Sequence, residues 1–290
     1  NSSLALSTGR KWGPLGFELS GIYTTEFSGQ NNLLRQKLTA ADQTDNGSKA
    51  TVIKRFRGDT YRFSTRLSGV LSTGLHLSDD NDISLSAFLN RNSQDVVEQL
   101  TGSVQSLSDN VVDLGTLGYI EEELAFGQLK GRHHTPWTDI DWRSAFTRTR
   151  QDVPDVRQTT YLTAPGLPPQ FSNAESGGLR SFQAMTEYLS DSGLDFTTPF
   201  PVWDELTAKF RWGAAYTYRE RGSRQRTFKY TPFGNADRFQ PPNRILDPRN
   251  VGAFADGKSV GFSEISTLRD LFSGTEETIA GYGAFDVPLV

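Results

Sequence analysis

Polar and apolar residues alternate from Thr60 to Leu77, in "TYRFSTRLSGVLSTGLHL". Tyr61, Phe63, Thr65, Leu67, Gly69, Leu71, Thr73, Leu75 and Leu77 are apolar or small, whereas Arg62, Ser64, Arg66, Ser68, Ser72 and His76 lie between them. A period of two is the signature of a strand with one apolar and one wet face. Strands usually run about 5–6 residues, and this alternation lasts roughly three times as long.

The pattern recurs along the chain. In "LGFELSGIYTTEF", Leu15, Phe17, Leu19, Tyr23 and Phe27 oppose Glu18, Ser20, Thr24 and Glu26. In "DISLSAFLN", Ile83, Leu85, Ala87 and Leu89 oppose Ser84, Ser86 and Asn90. Ile140, Trp142 and Phe146 oppose Asp139, Asp141 and Arg143, and the run from Leu206 to Tyr218 opposes Lys209, Arg211, Thr217 and Arg219. Shorter patterns near the start, over 119–131, 186–198 and near the end bring the expectation to about nine strands. Only 97–107 and 265–272 offer room for a short helix.

The connections alternate too. Arg10–Pro14, Ser78–Asp82, Arg132–Trp137 and Pro199–Glu205 are short, and 28–59, 92–118, 150–185 and 220–275 are long. Loops above about 12–15 residues are uncommon in compact soluble domains. Membrane barrels combine short periplasmic turns with long extracellular loops as a rule. The expected fold is therefore all-β: an antiparallel transmembrane β-barrel segment of about nine long strands, incomplete as a barrel. In such a wall every backbone group is satisfied by a neighbouring strand. The wet parity then faces a lumen, which Arg62, Arg66, Lys209 and Arg211 would line. An Arg or Lys on the lipid face at mid-depth would cost about 2–4 kcal/mol. Tyr61, Phe63, Tyr216 and Tyr218, at strand ends, suit the aromatic belts of membrane interfaces.

Composition adds exclusions. No run approaches the ~20 apolar residues of a membrane helix, which leaves strands as the only spanning element. The net charge of −4 with dispersed Lys and Arg gives no nucleic-acid footprint. The absence of cysteine removes thiolate metal sites and a cysteine nucleophile. The first residue is Asn1 and no signal peptide is visible, so a mature form or a section of a larger protein is expected.

Four segments, in this order, resemble TonB-dependent outer-membrane receptors. "DISLSAFLNRNSQD" (82–95) is similar to a receptor strand with an Asn-rich exit to an external loop. "WTDIDWRSAFTRTRQDVPDVRQTTY" (137–161) is similar to a Trp-containing strand followed by an acidic, Pro-Asp, Arg segment. "AKFRWGAAYTYRERGSRQRTFKY" (208–230) resembles a long strand whose basic, aromatic end enters a large loop. "ETIAGYGAFDVPL" (277–289) resembles a strand descending to an Asp-x-Pro-Leu turn. The resemblance implies a barrel of about 22 strands around a plug. It also implies TonB-coupled uptake of a siderophore, cobalamin or carbohydrate in the bacterial outer membrane. No plug or coupling box is visible here, so residues 1–290 are expected to be a partial receptor-like barrel domain that does not transport alone.

The implied partners are outer-membrane lipid and lipopolysaccharide, the TonB system through the missing plug, and a small-molecule ligand. No cofactor is implied. Arginines and aromatics in the long loop, Arg221, Arg224, Arg226, Tyr230, Phe233, Arg238 and Phe239, are the candidate ligand-binding set, since guanidinium and rings together suit anionic aromatic ligands or sugars. His133 and His134 lack the spacing of zinc motifs. "DVPD" (152–155) with Arg157 reads as a turn or an ion pair between loops, and "SDDND" (78–82) as a tight turn lacking the Gly and distal Glu of a calcium loop. No Gly-x-Ser-x-Gly elbow or Gly-x-Gly-x-x-Gly loop occurs, and no enzyme is expected. The alternatives are a passive porin-like channel and a soluble β-rich carbohydrate-binding or structural domain. A β-solenoid enzyme would need an internal repeat, which is absent.

Overall fold

The computed structural model describes residues 1–39, 51–107, 110–174, 177–203 and 206–288, and these form one antiparallel sheet. Nine long strands follow in order: β1 (Ser2–Trp12), β2 (Leu15–Thr39), β3 (Thr51–Ser78), β4 (Asn81–Val104), β5 (Val111–His134), β6 (Asp139–Thr163), then β8 (Gly178–Pro201), β9 (Thr207–Pro232) and β11 (Leu271–Asp286). Two short strands, β7 (Gln170–Phe171) and β10 (Val260–Glu264), pair with the far ends of β6 and β9. Each long strand pairs with its neighbours in the chain as a meander, closing with β11 on the lower part of β9.

The sheet is not closed. The chain descends β1 to the turn at Gly13–Pro14, and each hairpin reverses direction, so β1 and β11 both run toward the short-turn end. Joining these two edges directly would give a parallel ladder. An antiparallel closure needs an even number of strands.

The strands are longer than the sequence pattern suggests. Residues placed in the loops 28–59, 92–118, 150–185 and 220–275 extend β2 through β9 well past the apolar segments, and only 40–50 of the first loop lie outside the described residues. Each range that left room for a short helix holds only a single 3-10 turn as helix, and the one short α-helix among the described residues, Pro242–Ile245, lies elsewhere. Residues 97–104 continue β4, and the rest is limited to 3-10 turns at Gln105–Leu107 and Leu268–Asp270. The reason is that backbone pairing continues after the apolar parity has ended. In that outer part both faces carry polar side chains, and period two loses its hydropathic contrast.

Two irregularities fit their residues. Asn32, with φ of 56°, occupies a bulge in β2, where Asn tolerates the left-handed region and its N–H donates to the Asp59 carboxylate at 3.0 Å. A second bulge between Val153 and Val156 in β6 holds Pro154, which has no N–H to give a ladder. "DVPD" is therefore a bulge inside a strand and not a turn, and its expected ion pair forms from Asp155 to Arg157 in the same strand and to Arg180 in the neighbouring one.

The sheet lacks a conventional core. Its accessible area is 19133 Å², against about 12,300 Å² expected for a folded monomer of this mass. The buried clusters, Phe56–Leu100–Val112 and Phe171–Tyr230–Ile245–Val260, both lie at the end away from the short turns.

Candidate membrane-facing wall and outer cap

Registers between strands decide which side chains share a face. Leu15, Leu75, Ile83, Gly131, Trp142, Leu194, Ala214 and Gly281 stand in one row across eight strands. Two residues further from the short turns the row is Phe17, Thr73, Leu85, Leu129, Ser144, Ser192, Tyr216 and Ile279. The apolar parities, odd in β2 to β5 and even in β6, β8 and β9, therefore fall on a single face. Much of it is open to the surroundings: Leu19, Leu67, Leu89, Phe146, Trp212 and Ile279 are all exposed.

Tryptophans mark one border of this face. Trp12, Trp137 and Trp203 lie in or beside a short turn, and Trp142 and Trp212 stand inside β6 and β9 in the part of each strand that leads from such a turn. Neighbouring aromatics stack with them: Trp12 on Phe17 at 5.1 Å, and Phe196 on Trp212 at 4.1 Å. A Cβ on Gly131 would sit 2.3 Å from the Trp142 indole, so only glycine lets that ring lie across the strand. The Trp142 N–H donates to His133 Nε2 at 3.0 Å. That leaves Nδ1 as the protonated ring nitrogen, 2.7 Å from Asn81 Oδ1.

Charges mark the other border, which slopes. On the apolar face the first charged residue is Asp59 in β3, Arg91 in β4, Arg148 in β6 and Glu277 in β11. The last apolar residues descend with it, from Phe63 on β3 to Ile279 on β11. That is about ten residues over six strand steps, but the step from Phe63 to Leu89 takes more than half of it, and from β4 to β11 the border slopes by roughly 30° to the rows at about 3.4 Å per residue and 4.8 Å between strands. A horizontal membrane crossing strands tilted by about 35–45° would cut the rows in this manner. β8 is an exception, with no charge before Arg180. Arg10 on β1 is another, its guanidinium 5.3 Å over the Trp12 ring.

The opposite face is largely polar, interrupted by one row in which Val70, Phe88, Phe126 and Leu189 stand. Arg62, Arg66, Lys209 and Arg211 all stand on it, and Arg211 pairs with Asp286. Near the short turns Arg132 meets Asp141 at 3.1 Å, and Arg143 reaches both Asp191 and Asp195 at 3.4 Å. His76 and His134 sit at the turns beside Asp82 and Asp139, each at 2.7 Å. The hydrogen bond that His76 donates to Asp82 raises the His76 pKa, and the one that His134 donates to Asp139 raises the His134 pKa.

The candidate ligand set does not converge. Arg221 is on the polar face, 3.0 Å from Met185 Sδ, while Arg224 and Arg226 are on the other. Arg226 grips Glu264 through two hydrogen bonds of 2.8 and 2.9 Å, and with Ser266 holds that carboxyl down at about 2. Arg238 Nε donates to the Phe171 carbonyl at 2.7 Å, Phe233 packs edge-on against Phe254, and Phe239 is exposed. Tyr230 is buried in the loop cluster. These residues mostly fasten the cap, residues 233–270, to the sheet. Tyr161 joins them by donating its hydroxyl to the Gln240 carbonyl at 2.7 Å, and burial pushes it up to about 12.

Sequence reasoning missed the tryptophan border, although each Trp stands within a few residues of an expected short turn. It also missed Arg180, which with Arg157 clasps Asp155 at 2.8 and 2.7 Å. Burial pushes the Asp155 carboxyl up, but hydrogen bonds from the two guanidiniums outweigh it and hold the pKa below the usual value.

No family model matches this chain, and no curated protein matches it. Among solved structures it has a likeness to the crystal structure of Pseudomonas aeruginosa OccK10 (OpdN), at 10% identity over 99% of this chain and 92% of that one. The TM-score is 0.12, at which the likeness carries no argument.

Proposed function

We propose that this chain is a section of the wall and outer loops of a bacterial outer-membrane transport barrel. The observation that carries the reading is the single apolar face of an otherwise largely polar sheet, bordered by tryptophan at the short-turn end and by Arg and Glu at the other. Interfacial aromatics and an apolar band on one side of a strand wall are what a bilayer selects. Further strands would complete the wall, since its two edges run in the same direction. Lipid and lipopolysaccharide would surround it, and Arg62, Arg66, Lys209 and Arg211 would face the lumen.

The finer reading is a TonB-coupled receptor for a siderophore, cobalamin or carbohydrate, and its support is the order of the four receptor-like segments. A passive channel accounts for the same wall. Single cysteines test the wall, because the chain contains none of its own. In outer membranes carrying this polypeptide, Gln128→Cys reacts with a water-soluble maleimide and Leu129→Cys does not. Equal labelling of both overturns the proposal. Loss of solute uptake on adding a protonophore then favours the coupled receptor, and unchanged uptake favours the channel.

A further inference from the structure

The cap and the outer sheet enclose a cavity of about 700 Å³. This is within the about 300–1,000 Å³ of small-molecule sites. Its floor is two adjacent rows on the parity that carries the apolar face: Val97–Leu117–Arg157–Arg180, and Gln99–Gly115–Thr159. Gly115 keeps the floor free of a side chain there, and a Cβ would already press on Thr159 Oγ1 at 2.9 Å. The roof comes from the cap, with Pro242, Leu246, Pro248 and Val251 closing over the apolar part.

Charge is distributed unevenly around this space. Arg157 and Arg180 share one carboxylate, that of Asp155, which leaves one net positive charge at the floor. The other carboxylates of the lining have arginines of their own. Asp247 in the roof is held by Arg249 at 2.9 Å, and Glu98 is paired with Arg35. A mostly apolar cavity with a single unbalanced cation selects a ligand with the converse layout.

We propose that this cavity binds a small organic anion with a branched or aromatic apolar body and one carboxylate-type group. The body lies between Leu117 and Leu246, beside Tyr230, and the charged group meets Arg157 and Arg180. The assignment needs only the cavity and its charges, so it stands or falls independently of the membrane reading.

The test is fluorine NMR titration of the folded polypeptide carrying this sheet, with any further strands it has and its strand content checked by circular dichroism, in detergent solution with 6-(trifluoromethyl)-2-naphthoate, alongside its neutral carboxamide. The naphthoate is expected to bind at least about tenfold more tightly than the amide, a difference of about 1.4 kcal/mol. Arg157→Gln removes the net charge and brings the naphthoate down to the affinity of the amide, whereas Arg157→Lys keeps the preference. Val251→Trp fills the roof and abolishes binding of both. Arg10→Gln, at the opposite end of the sheet, leaves both affinities unchanged. Equal affinity for acid and amide, a preference that survives Arg157→Gln, or binding that survives Val251→Trp overturns the proposal, as does no binding at millimolar probe. Should Val251→Trp perturb the cap, Gly115→Phe fills the same space from the floor, and binding retained by that variant counts equally against the site.

Discussion

Leu85 and Ser86 are consecutive in β4, and the wall reading predicts opposite tolerance to the same substitution. Leu85 stands midway between Asn81 at the turn and Leu89 at the top of the apolar band, in the row of Phe17, Leu129 and Ile279. Ser86 points the other way, between Ser72 and Gln128. Replacing Leu85 by Arg at the centre of the hydrocarbon costs about 2–4 kcal/mol, and the penalty falls to about 0–1 near the interfaces. Ser86→Arg meets polar neighbours and water, where a substitution stays within about 0.5 kcal/mol. Leu89→Arg, two residues below natural Arg91, should fall near the interfacial value. The assay is urea unfolding of the polypeptide carrying this sheet, folded into dilauroyl phosphatidylcholine vesicles. Unfolding would be followed by fluorescence of its five tryptophans. Expected is a large loss for Leu85→Arg, a small one for Leu89→Arg, and almost none for Ser86→Arg. Equal losses at 85 and 86 would refute the parity assignment. A protein that stays folded and monomeric in detergent-free buffer, with the same penalty at 85 and at 89, would refute the membrane and leave a soluble core in its place.

Tryptophan depth gives an independent check: brominated lipids should quench emission most when bromine lies near the glycerol region, and strongest quenching from the bilayer centre would displace the proposed border. His76 and His134 have folded pKa values raised above 6.5 by Asp82 and Asp139, so the contacts contribute fully below that value and are lost as pH rises through the folded pKa. Histidine NMR titrations should show both above 6.5, with Asp82→Asn lowering His76 alone. Glu264 behaves in the opposite sense: its contact with Arg226 is complete above 4.5 and is lost as pH falls through about 2. Carboxyl NMR should place its midpoint near 2, and Arg226→Gln should return it toward 4.5. Refolded in detergent by itself, the nine-strand chain should run on gels without a heat-modifiable compact form, and a closed barrel from these strands alone would contradict the direction of β1 and β11.

The parity of the strands was legible in sequence because the apolar band carries its own contrast. Leu85 beside Ser86, or Trp212 beside Arg211, can be assigned to faces without coordinates. Strand length was not legible, because beyond Arg91 or Arg148 both parities are polar and backbone pairing leaves no hydropathic trace. For that reason the room left for a short helix at 97–107 is mostly strand, with a 3-10 turn only at Gln105–Leu107. The candidate site fared differently on its two faces. Arg62, Arg66, Lys209 and Arg211 follow directly from period two, and the structure sets them on one polar face. The loop arginines could not be sorted, since whether Arg226 awaits a ligand or holds Glu264 depends on a partner 38 residues away. Asp155 was legible as part of a turn or an ion pair near Arg157, but its second arginine, Arg180, comes from the next long strand and was not.

A soluble sandwich is the strongest rival for such a sheet, and the shape of the apolar face weighs against it. A sandwich needs a second apolar layer about 10 Å away, whereas the described residues supply a single sheet with large side chains such as Leu67, Phe146 and Ile279 open. Covering that face with another layer would explain its hydrophobicity. It would not explain why all five tryptophans lie at the short turns or in the strand segments leading from them. Nor would it make the charged border slide toward those turns from β3 to β11. A bilayer accounts for both with one geometry: tilted strands cut by a flat slab put aromatics at one interface and draw the opposite border obliquely across the rows. The slope and the tryptophan border come from different residues, and one geometry covers both.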